Sequence, residues 1–197
     1  MSIFKRIREI EKAVSELSTK VSINRARINS FNWLYDVTVR FVNKSPHPNP
    51  TFAKEGDSGF DLRAWIEYQE DGVRTNDEGK NYVLLFPHER RLIHTGIYME
   101  VPAHCEAQVR PRSGMALKQG LSVCNAPGTI DESYRGEICV IALNTSNETV
   151  TVMDGDRIAQ CVICPVLNSN YVEFEEIGEI NTDTERGEGG FGHTGTK

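Results

Sequence analysis

The sequence predicts an all-β domain of the sandwich or barrel class, preceded by one amphipathic helix. Short runs of β-prone, apolar residues recur between Val37 and Glu175, and turn residues divide them. No long helical segment separates these runs. Strands at this spacing are typical of sandwiches and barrels, whereas α/β proteins alternate strands with helices. At 197 residues, the chain is long enough for one such domain and an appendage.

The appendage is the N-terminal segment, residues 1–33, which we predict to be a helix. Apolar residues recur with 4-3 spacing from residue 3 to residue 31, and Asn24 alone interrupts this seam. Consecutive heptads with β-branched core positions predict a coiled coil of more than two strands. One amphipathic helix lying on its own domain would give the same stripe, because periodicity does not reveal the partner. The helix also offers a surface on which another protein would bind.

Composition and cysteine usage exclude several classes of protein. The sequence has no apolar run long enough to cross a membrane and no apolar core of a secretion signal, so we predict an intracellular, cytoplasmic protein. The net charge of −6 gives no basic footprint, so no direct nucleic-acid binding is expected. The five cysteines favour free thiols. Cys161 and Cys164 should point to opposite faces of a strand, which favours packing over zinc binding.

The predicted strands begin at Val37, where apolar and polar residues start to alternate. The later β-type runs are Phe60–Tyr68, Tyr82–Phe86, Arg91–Val101, Cys105–Arg110, Glu137–Asn144, Arg157–Val166 and Tyr171–Glu175. Residues 70–80 are polar and predict an exposed loop. Ser113 and Gly120 predict the N-cap and the end of one short helix. The free N–H groups at its start, beside Arg112, would attract phosphate.

The stretch from Asn125 to Asn144 is predicted to form a hairpin. Pro127 would set φ at the second position of its turn, and Gly128 would take the positive φ of the third. Asp131 and Tyr134 follow this turn. A carboxylate beside an aromatic suits a site that holds a flat ligand and activates a water molecule. A surface loop with one acidic residue has the same sequence features, so the flanking segments decide between these interpretations.

Four further segments flank this stretch in a fixed order. The five are SGFDLRA (58–64), RPRSGMALKQG (110–120), the stretch 125–144, GDRIAQ (155–160) and RGEGGFGHTG (186–195). In order and spacing they resemble the five motifs of the trimeric dUTP diphosphatases, the dUTPases, and the resemblance covers about residues 36–195. It implies a jelly-roll domain over residues 34–180, a homotrimer with dUTP as its substrate, and a glycine-rich flap over residues 181–197.

The resemblance also implies Mg²⁺-dependent hydrolysis of dUTP to dUMP and diphosphate, which limits uracil incorporation into DNA and supplies dUMP for thymidylate synthesis. Asp131 is then the catalytic residue that orients the attacking water, and Asp61 reaches Mg²⁺ through water. The residues implied to contact phosphates are Arg112, Ser113, Gly114, Gln160, Arg186, His193 and Thr194. Those implied to contact uracil and deoxyribose are Asn125, Thr129, Ile130, Tyr134, Cys139, Phe191 and Gly192.

Specificity for uracil follows from its hydrogen-bonding edge. The N–H and C=O groups of a strand backbone alternate and match the acceptor, donor and acceptor of uracil. Cytosine would leave buried groups unpaired, and such mismatches reach a discrimination of about 10⁴. His193 stands where the family usually has serine, so the γ-phosphate contact would depend on pH near the histidine pKa. Arg157 is predicted to be a buried structural ion-pair partner.

Two other functions are considered beside dUTP hydrolysis. A dCTP deaminase shares the fold, but the complete glycine-rich tail and the pair Asp131 and Tyr134 disfavour it. A nucleotide-gated regulatory protein that acts through residues 1–33 would retain the same motifs. Because all five motifs are intact, we rank this regulatory role as an addition to catalysis.

Overall fold

A computed structural model of the chain describes residues 12–20, 37–67 and 71–190. The chain divides into two compact units, Met1–Val166 and Leu167–Lys197. In the first unit, residues 12–20 form helix α1, and the remaining regular structure is a set of short strands with one further helix. In the second unit, residues 167–190 form turns and irregular structure, and no strand is present in that described range.

The strands of the first unit are short and separated by turns. They are β1 (Arg40–Asn43), β2 (Gly59–Arg63), β3 (Arg74–Thr75), β4 (Asn81–Leu85), β5 (Arg90–Ile93), β6 (Ile97–Glu100), β7 (Cys105–Pro111), β8 (Leu121–Val123), β9 (Gly128–Ile130), β10 (Val140–Asn144), β11 (Val150–Met153) and β12 (Arg157–Pro165). Helix α2 (Ser113–Gln119) lies between β7 and β8. The prediction of a mostly β domain with few helices is confirmed.

The strands assemble into small antiparallel sheets. The largest has the order β2-β12-β7-β9, two three-stranded sheets have the orders β5-β10-β8 and β11-β4-β3, and β1 pairs with β6. Most neighbours in these sheets are distant in sequence, so the domain is held together by long-range strand pairing. The chain therefore brings segments from residues 59–63, 105–111, 128–130 and 157–165 side by side.

Buried and partly exposed side chains alternate along the strands, and the buried ones form the core. In β7, Cys105, Ala107 and Val109 are buried, whereas the intervening Glu106, Gln108 and Arg110 are partly exposed. Each fully buried aliphatic side chain contributes about 1.5–3 kcal/mol to the free energy of unfolding. Asn144 is a fully buried polar residue of this core. Its Nδ2 donates to the carbonyls of Leu85, at 3.0 Å, and Glu148, at 2.7 Å, so its burial leaves no donor unpaired.

Two strand predictions and one loop prediction need correction. The run Arg91–Val101 is two strands, because the chain turns at Gly96, where φ is 70° and a Cβ would clash with the Ser45 backbone. The predicted strand Tyr171–Glu175 is wrong. Its first residues form a turn in which Tyr171 and Val172 donate to the Asn168 carbonyl, and Phe174 is almost fully exposed. The loop at residues 70–80 contains the short strand β3, which pairs with β4.

A further correction concerns the stretch 125–144. Its two strands do not pair with each other: β9 pairs with β7, and β10 pairs with β5 and β8. The hairpin prediction is therefore wrong. Adjacent β-type runs predict a hairpin only when their intervening residues form a tight connection, and here residues 131–139 carry the chain from one sheet to another.

The described part of the N-terminal segment agrees with a helix. Residues 12–20 are helical, and their apolar side chains Val14 and Leu17 are 61% and 65% exposed. Most of the predicted coiled coil, including Asn24, lies outside the described residues. No described helix is long and apolar enough to cross a membrane.

The cysteines agree with the prediction of free thiols. All five lie in the described residues and none of them forms a disulfide; Cys161 is buried in the core whereas Cys164 is partly exposed. Burial raises the pKa of the Cys161 thiol to about 12. A thiol with so high a pKa is protonated at neutral pH, which agrees with a packing role for this cysteine.

Candidate active site

A polar cleft opens beside the start of α2. Its volume is about 550 Å³, and the predicted site residues along it are Asp61, Arg112, Ser113, Gly114 and Gln160. Strand pairing brings them together, because Asp61 on β2 lies opposite Gln160 on β12, which lies opposite Arg110 on β7. Arg112 and α2 follow directly from the end of β7. Segments almost one hundred residues apart in sequence thus meet across three neighbouring strands of the largest sheet.

A carboxylate holds two guanidinium groups at this cleft. Asp61 Oδ1 accepts from Arg112 Nε at 2.7 Å, and Asp61 Oδ2 accepts from an Arg157 terminal nitrogen at 3.1 Å. Arg157 thus forms an ion pair, as predicted, but its side chain is half-exposed and the prediction of burial is wrong. With Lys118, the cleft has three cationic side chains against the two carboxylates Asp57 and Asp61. The cleft is therefore locally positive in a chain whose net charge is −6, which suits an anionic ligand.

The start of α2 differs from the prediction by one residue. Arg112 is the N-cap, in extended conformation and without a capping side-chain hydrogen bond, and Ser113 is the first helical residue. The Arg112 carbonyl already accepts from Ala116 N at 2.9 Å, which fixes the cap there. The helix ends at Gly120, as predicted, with φ at 68°. Because no side chain caps the first turn, its backbone N–H groups beside the cleft are available to a ligand.

Asp131 and Tyr134 lie in the connection that follows β9. The backbone N–H of Tyr134 donates to the Asp131 carbonyl at 3.1 Å, which makes a tight turn. Asp131 is exposed, and within the described part of the chain its carboxylate has no ion-pair partner. The Tyr134 hydroxyl donates to the Glu137 carbonyl at 2.9 Å. The ring lies over Gly136, where a Cβ would overlap it, so only glycine allows this ring position.

The remaining predicted uracil contacts lie around β9. Asn125 precedes this strand, Thr129 and Ile130 belong to it, and strand pairing puts Thr129 opposite Gln108 of β7. Gly128 does not have the predicted positive φ. It is buried instead, and a Cβ there would approach Asn125 Nδ2 to 3.1 Å. Close packing of the Asn125 side chain, not turn conformation, therefore accounts for this glycine.

Three side chains form a compact group, the His94 cluster, which consists of His94, Glu137 and Cys139. Glu137 Oε1 accepts from the backbone N–H groups of Thr95, at 3.0 Å, and Gly96, at 2.8 Å. His94 Nδ1 lies 2.8 Å from Glu137 Oε2. Burial alone would raise the pKa of the Glu137 carboxyl, but the hydrogen bonds from His94 and the two backbone groups outweigh it and lower that pKa.

Sequence reasoning named Cys139 as a uracil contact and missed the other two members of the cluster. One signal was present: Glu137 and Cys139 alternate with the buried Ile138 and Val140, so both point away from the core. Nothing in the sequence alone assigned His94 to the same place, because that requires the register between β5 and β10.

The predicted flap is described only in part. Arg186 lies in the second unit, where its Nε donates to the Gly189 carbonyl at 2.9 Å. The predicted ligand contacts Phe191, Gly192, His193 and Thr194 lie outside the described residues. Of the site residues described in the first unit, one group lies at the cleft, and a second group lies before, on and after β9.

Comparison with known proteins identifies a family model and sequence relatives that match this chain. The dUTPase family model matches residues 79–195. A deoxyuridine 5′-triphosphate nucleotidohydrolase of Finegoldia magna is 44% identical over 157 residues, which cover 80% of this chain and 98% of that protein. A protein of the same name from Clostridium novyi is 48% identical over 146 residues, covering 74% and 89%.

Solved structures agree with the fold. A mutant of the Staphylococcus bacteriophage 80alpha dUTPase with dUpNHpp has a TM-score of 0.66 at 22% identity, covering 82% of this chain and all of that one. The dUTPase of phage phi11 of S. aureus has a TM-score of 0.58 at 21% identity, covering 74% and 99%. These two likenesses concern the fold alone, whereas the family model and the sequence relatives identify the family. The chain belongs to the dUTPase family.

Proposed function

We propose that this chain hydrolyses dUTP to dUMP and diphosphate, which limits uracil incorporation into DNA and supplies dUMP for thymidylate synthesis. The relatives at 44% and 48% identity carry the name of that activity. The observation that carries the proposal is the cleft itself: Asp61, Arg112 and Gln160, which come from three separate motifs, line one locally positive cleft. A triphosphate is the anionic part of the substrate and fits such a cleft.

Arg112, Ser113, Gly114 and Gln160 are proposed to bind the phosphates. The guanidinium of Arg112 donates in a planar fork that suits phosphate oxygens. Gly114 has open space where a Cβ would stand, so a phosphate oxygen can approach the backbone N–H groups at the start of α2. Gln160 Nε2 donates to the Pro111 carbonyl at 2.9 Å, which fixes its amide beside the same helix.

Asp61 is proposed to hold Mg²⁺ through a water molecule. Both of its oxygens already accept from guanidinium groups, so direct coordination would have to displace Arg112 or Arg157. Each carboxylate oxygen has a further lone pair that accepts from a water of the ion's shell. The residues present therefore fit an outer-sphere role, and Mg²⁺ bound to the substrate would neutralise phosphate charge.

Asp131 is proposed to act as the base toward the attacking water. Its exposed carboxylate takes a proton at Oδ as the water oxygen forms a bond to the α-phosphorus, and the bridging oxygen leaves with diphosphate. Tyr134 is proposed to press on the deoxyribose and exclude a 2′-hydroxyl. Its contacts with Gly136 and Glu137 hold the ring in one position. Asn125, Thr129, Ile130 and Cys139 are proposed to read uracil, largely through backbone groups.

The quaternary arrangement and the two termini complete the proposal. We infer a homotrimer with a jelly-roll domain over residues 34–180, in which residues 1–33 of the three chains form a coiled coil. Its residues 2–31 would span about 45 Å at 1.5 Å per residue. The exposure of Val14 and Leu17 supports partner helices, since these apolar side chains have little cover from their own chain. Residues 181–197 are proposed to close over the substrate, where Arg186, His193 and Thr194 bind phosphate and Phe191 and Gly192 meet uracil.

A substrate panel tests the proposal. Diphosphate release would be measured with dUTP, UTP, dTTP and dCTP, and ammonia release would be measured with dCTP. We expect activity on dUTP to exceed activity on each other nucleotide by orders of magnitude. Comparable turnover of UTP would refute the role of Tyr134, and ammonia release from dCTP would favour a deaminase. Absence of turnover with all four nucleotides would refute hydrolysis and leave a purely regulatory role for the fold.

A further inference from the structure

The His94 cluster is built by strand geometry outside the cleft that is proposed to bind phosphate. Strands β5 and β10 pair Ile93 with Val140, and the same register continued by one residue puts His94 opposite Cys139. Glu137 lies two residues before Cys139, on the same face of an extended chain. An imidazole, a carboxylate and a thiol from two separate segments therefore converge at one point.

The three groups approach closely enough to coordinate one metal ion. His94 Nδ1 lies 2.8 Å from Glu137 Oε2 and 3.6 Å from Cys139 Sγ, and the three potential ligand atoms all lie within 4.8 Å of one another. The same ring nitrogen thus faces both the carboxylate and the thiol. A catalytic Cys–His–Glu relay would need the thiol and the carboxylate on different ring nitrogens. This arrangement therefore does not fit a nucleophilic triad.

We propose that His94, Glu137 and Cys139 bind a zinc ion. In a tetrahedral zinc site the N···S separation is about 3.6 Å and the N···O separation about 3.4 Å, given Zn–S of about 2.3 Å and Zn–N or Zn–O of about 2.1 Å. The observed N···S distance of 3.6 Å already has that value. The N···O distance of 2.8 Å is that of a hydrogen bond. It has to open by roughly 0.6 Å when a metal replaces the shared proton.

Backbone hydrogen bonds orient the Glu137 carboxylate for metal binding. Glu137 Oε1 is held by the backbone N–H groups of Thr95 and Gly96, which leaves Oε2 directed at His94. Metal-ligating side chains are usually oriented by such outer hydrogen bonds. The His94 side chain is 41% exposed, so a water molecule can reach the ion as a fourth ligand. Imidazole and thiolate ligands favour zinc over the magnesium proposed near Asp61.

Cobalt substitution tests the site directly. The full chain, without a polyhistidine tag and after dialysis against a chelator, would be titrated with Co²⁺ and then with Zn²⁺. We expect a thiolate-to-cobalt charge-transfer absorption that saturates at one ion per chain and is abolished by Zn²⁺. Cys139→Ser should remove this absorption. His94→Ala should weaken binding at least about 100-fold, because a direct ligand contributes more than an outer-shell partner.

Cys124→Ser is the matched control, since Cys124 is an exposed thiol outside the cluster. It should bind Co²⁺ as the unmodified chain does. The proposal is overturned if the unmodified chain gives no thiolate-to-cobalt absorption, if Cys139→Ser retains it, or if Cys124→Ser loses it. If Cys139→Ser does not fold, His94→Ala decides: binding at the affinity of the unmodified chain overturns the proposal, and weakened binding supports it.

Discussion

Replacing Gly136 by alanine should displace Tyr134 without unfolding the domain. A Cβ on Gly136 would overlap the Tyr134 ring, and Gly136 does not have a positive φ, so alanine adds no backbone strain. The ring is 43% exposed and has room to rotate into solvent. That rotation breaks the 2.9 Å hydrogen bond from the Tyr134 hydroxyl to the Glu137 carbonyl. Such a bond contributes about 0.5–1.5 kcal/mol, so the free energy of unfolding should fall by about 1 kcal/mol.

The effect on specificity should be larger than the effect on stability. If Tyr134 excludes the 2′-hydroxyl, its displacement should lower the ratio of kcat/KM for dUTP over UTP by about tenfold to a hundredfold. Steady-state diphosphate release with both nucleotides measures the ratio, and urea unfolding measures stability. Gly178→Ala is the matched control, because a Cβ at Gly178 meets no atom within 4 Å. An unchanged ratio in Gly136→Ala would refute the reasoning.

Three further changes test the proposed catalytic residue and the two termini. Asp131→Asn should lower kcat about 10²-fold or more while dUTP still binds. Turnover and equilibrium binding measure the two effects, and a near-normal kcat would assign water activation to another group. Removing residues 186–197 should sharply lower kcat/KM and keep the proposed trimer, as measured by light scattering, because the proposed flap would act only on closure. Dissociation would make the tail a structural element. Deleting residues 1–32 should lower Tm and keep activity, because the β-domain is expected to trimerise by itself and the helix to add stability. A monomeric deletion variant would contradict this expectation.

Alternation of apolar and polar residues in the sequence made many of the strands predictable. The runs Cys105–Arg110 and Arg157–Val166 agree within one residue with β7 and β12, because each is a long strand with one buried face. The short helix was predictable because its residues favour helix and Gly120 ends it in the left-handed conformation. Its N-cap was predicted one residue late because Ser113 has the usual capping side chain, but the structure uses the Arg112 backbone without a side-chain cap.

Long-range pairing was the part that the sequence could not supply. Residues 125–144 contain two β-type runs, and local turn chemistry predicted that they pair with each other. In the structure β9 pairs with β7, and β10 pairs with β5 and β8. Each run thus belongs to a sheet of three or four strands, whereas a two-stranded hairpin is only marginally stable by itself. The same limitation hid the His94 cluster, since only the β5–β10 register brings His94 to Cys139.

Sheet order also bears on how the proposed active site is assembled. Asp61 lies on β2 at one edge of the largest sheet, and β9, which leads to Asp131, lies at the other edge. Three strand spacings separate these edges, or about 14 Å. On β7, Arg110 lies opposite Gln160, and Ala107 lies opposite Ile130. The distance along β7 from Arg110 to Ala107 adds an offset of about 10 Å. Asp61 and Ile130 are therefore roughly 17 Å apart along this sheet.

A water molecule on Asp131 cannot attack a phosphate held about 17 Å away, so we expect the two parts of one site to come from different chains of the proposed trimer. A trimer whose sites combine the cleft of one chain with Asp131 of another resolves the conflict. We therefore expect two inactive variants, Asp131→Asn and Arg112→Ala, to regain activity when they are refolded together. Random assembly of equal amounts leaves about a quarter of the shared sites with both residues intact, so about a quarter of the original activity should return. Mixed trimers that stay inactive, while refolded trimers of the unmodified chain regain full activity, would show that both residues serve a site within one chain.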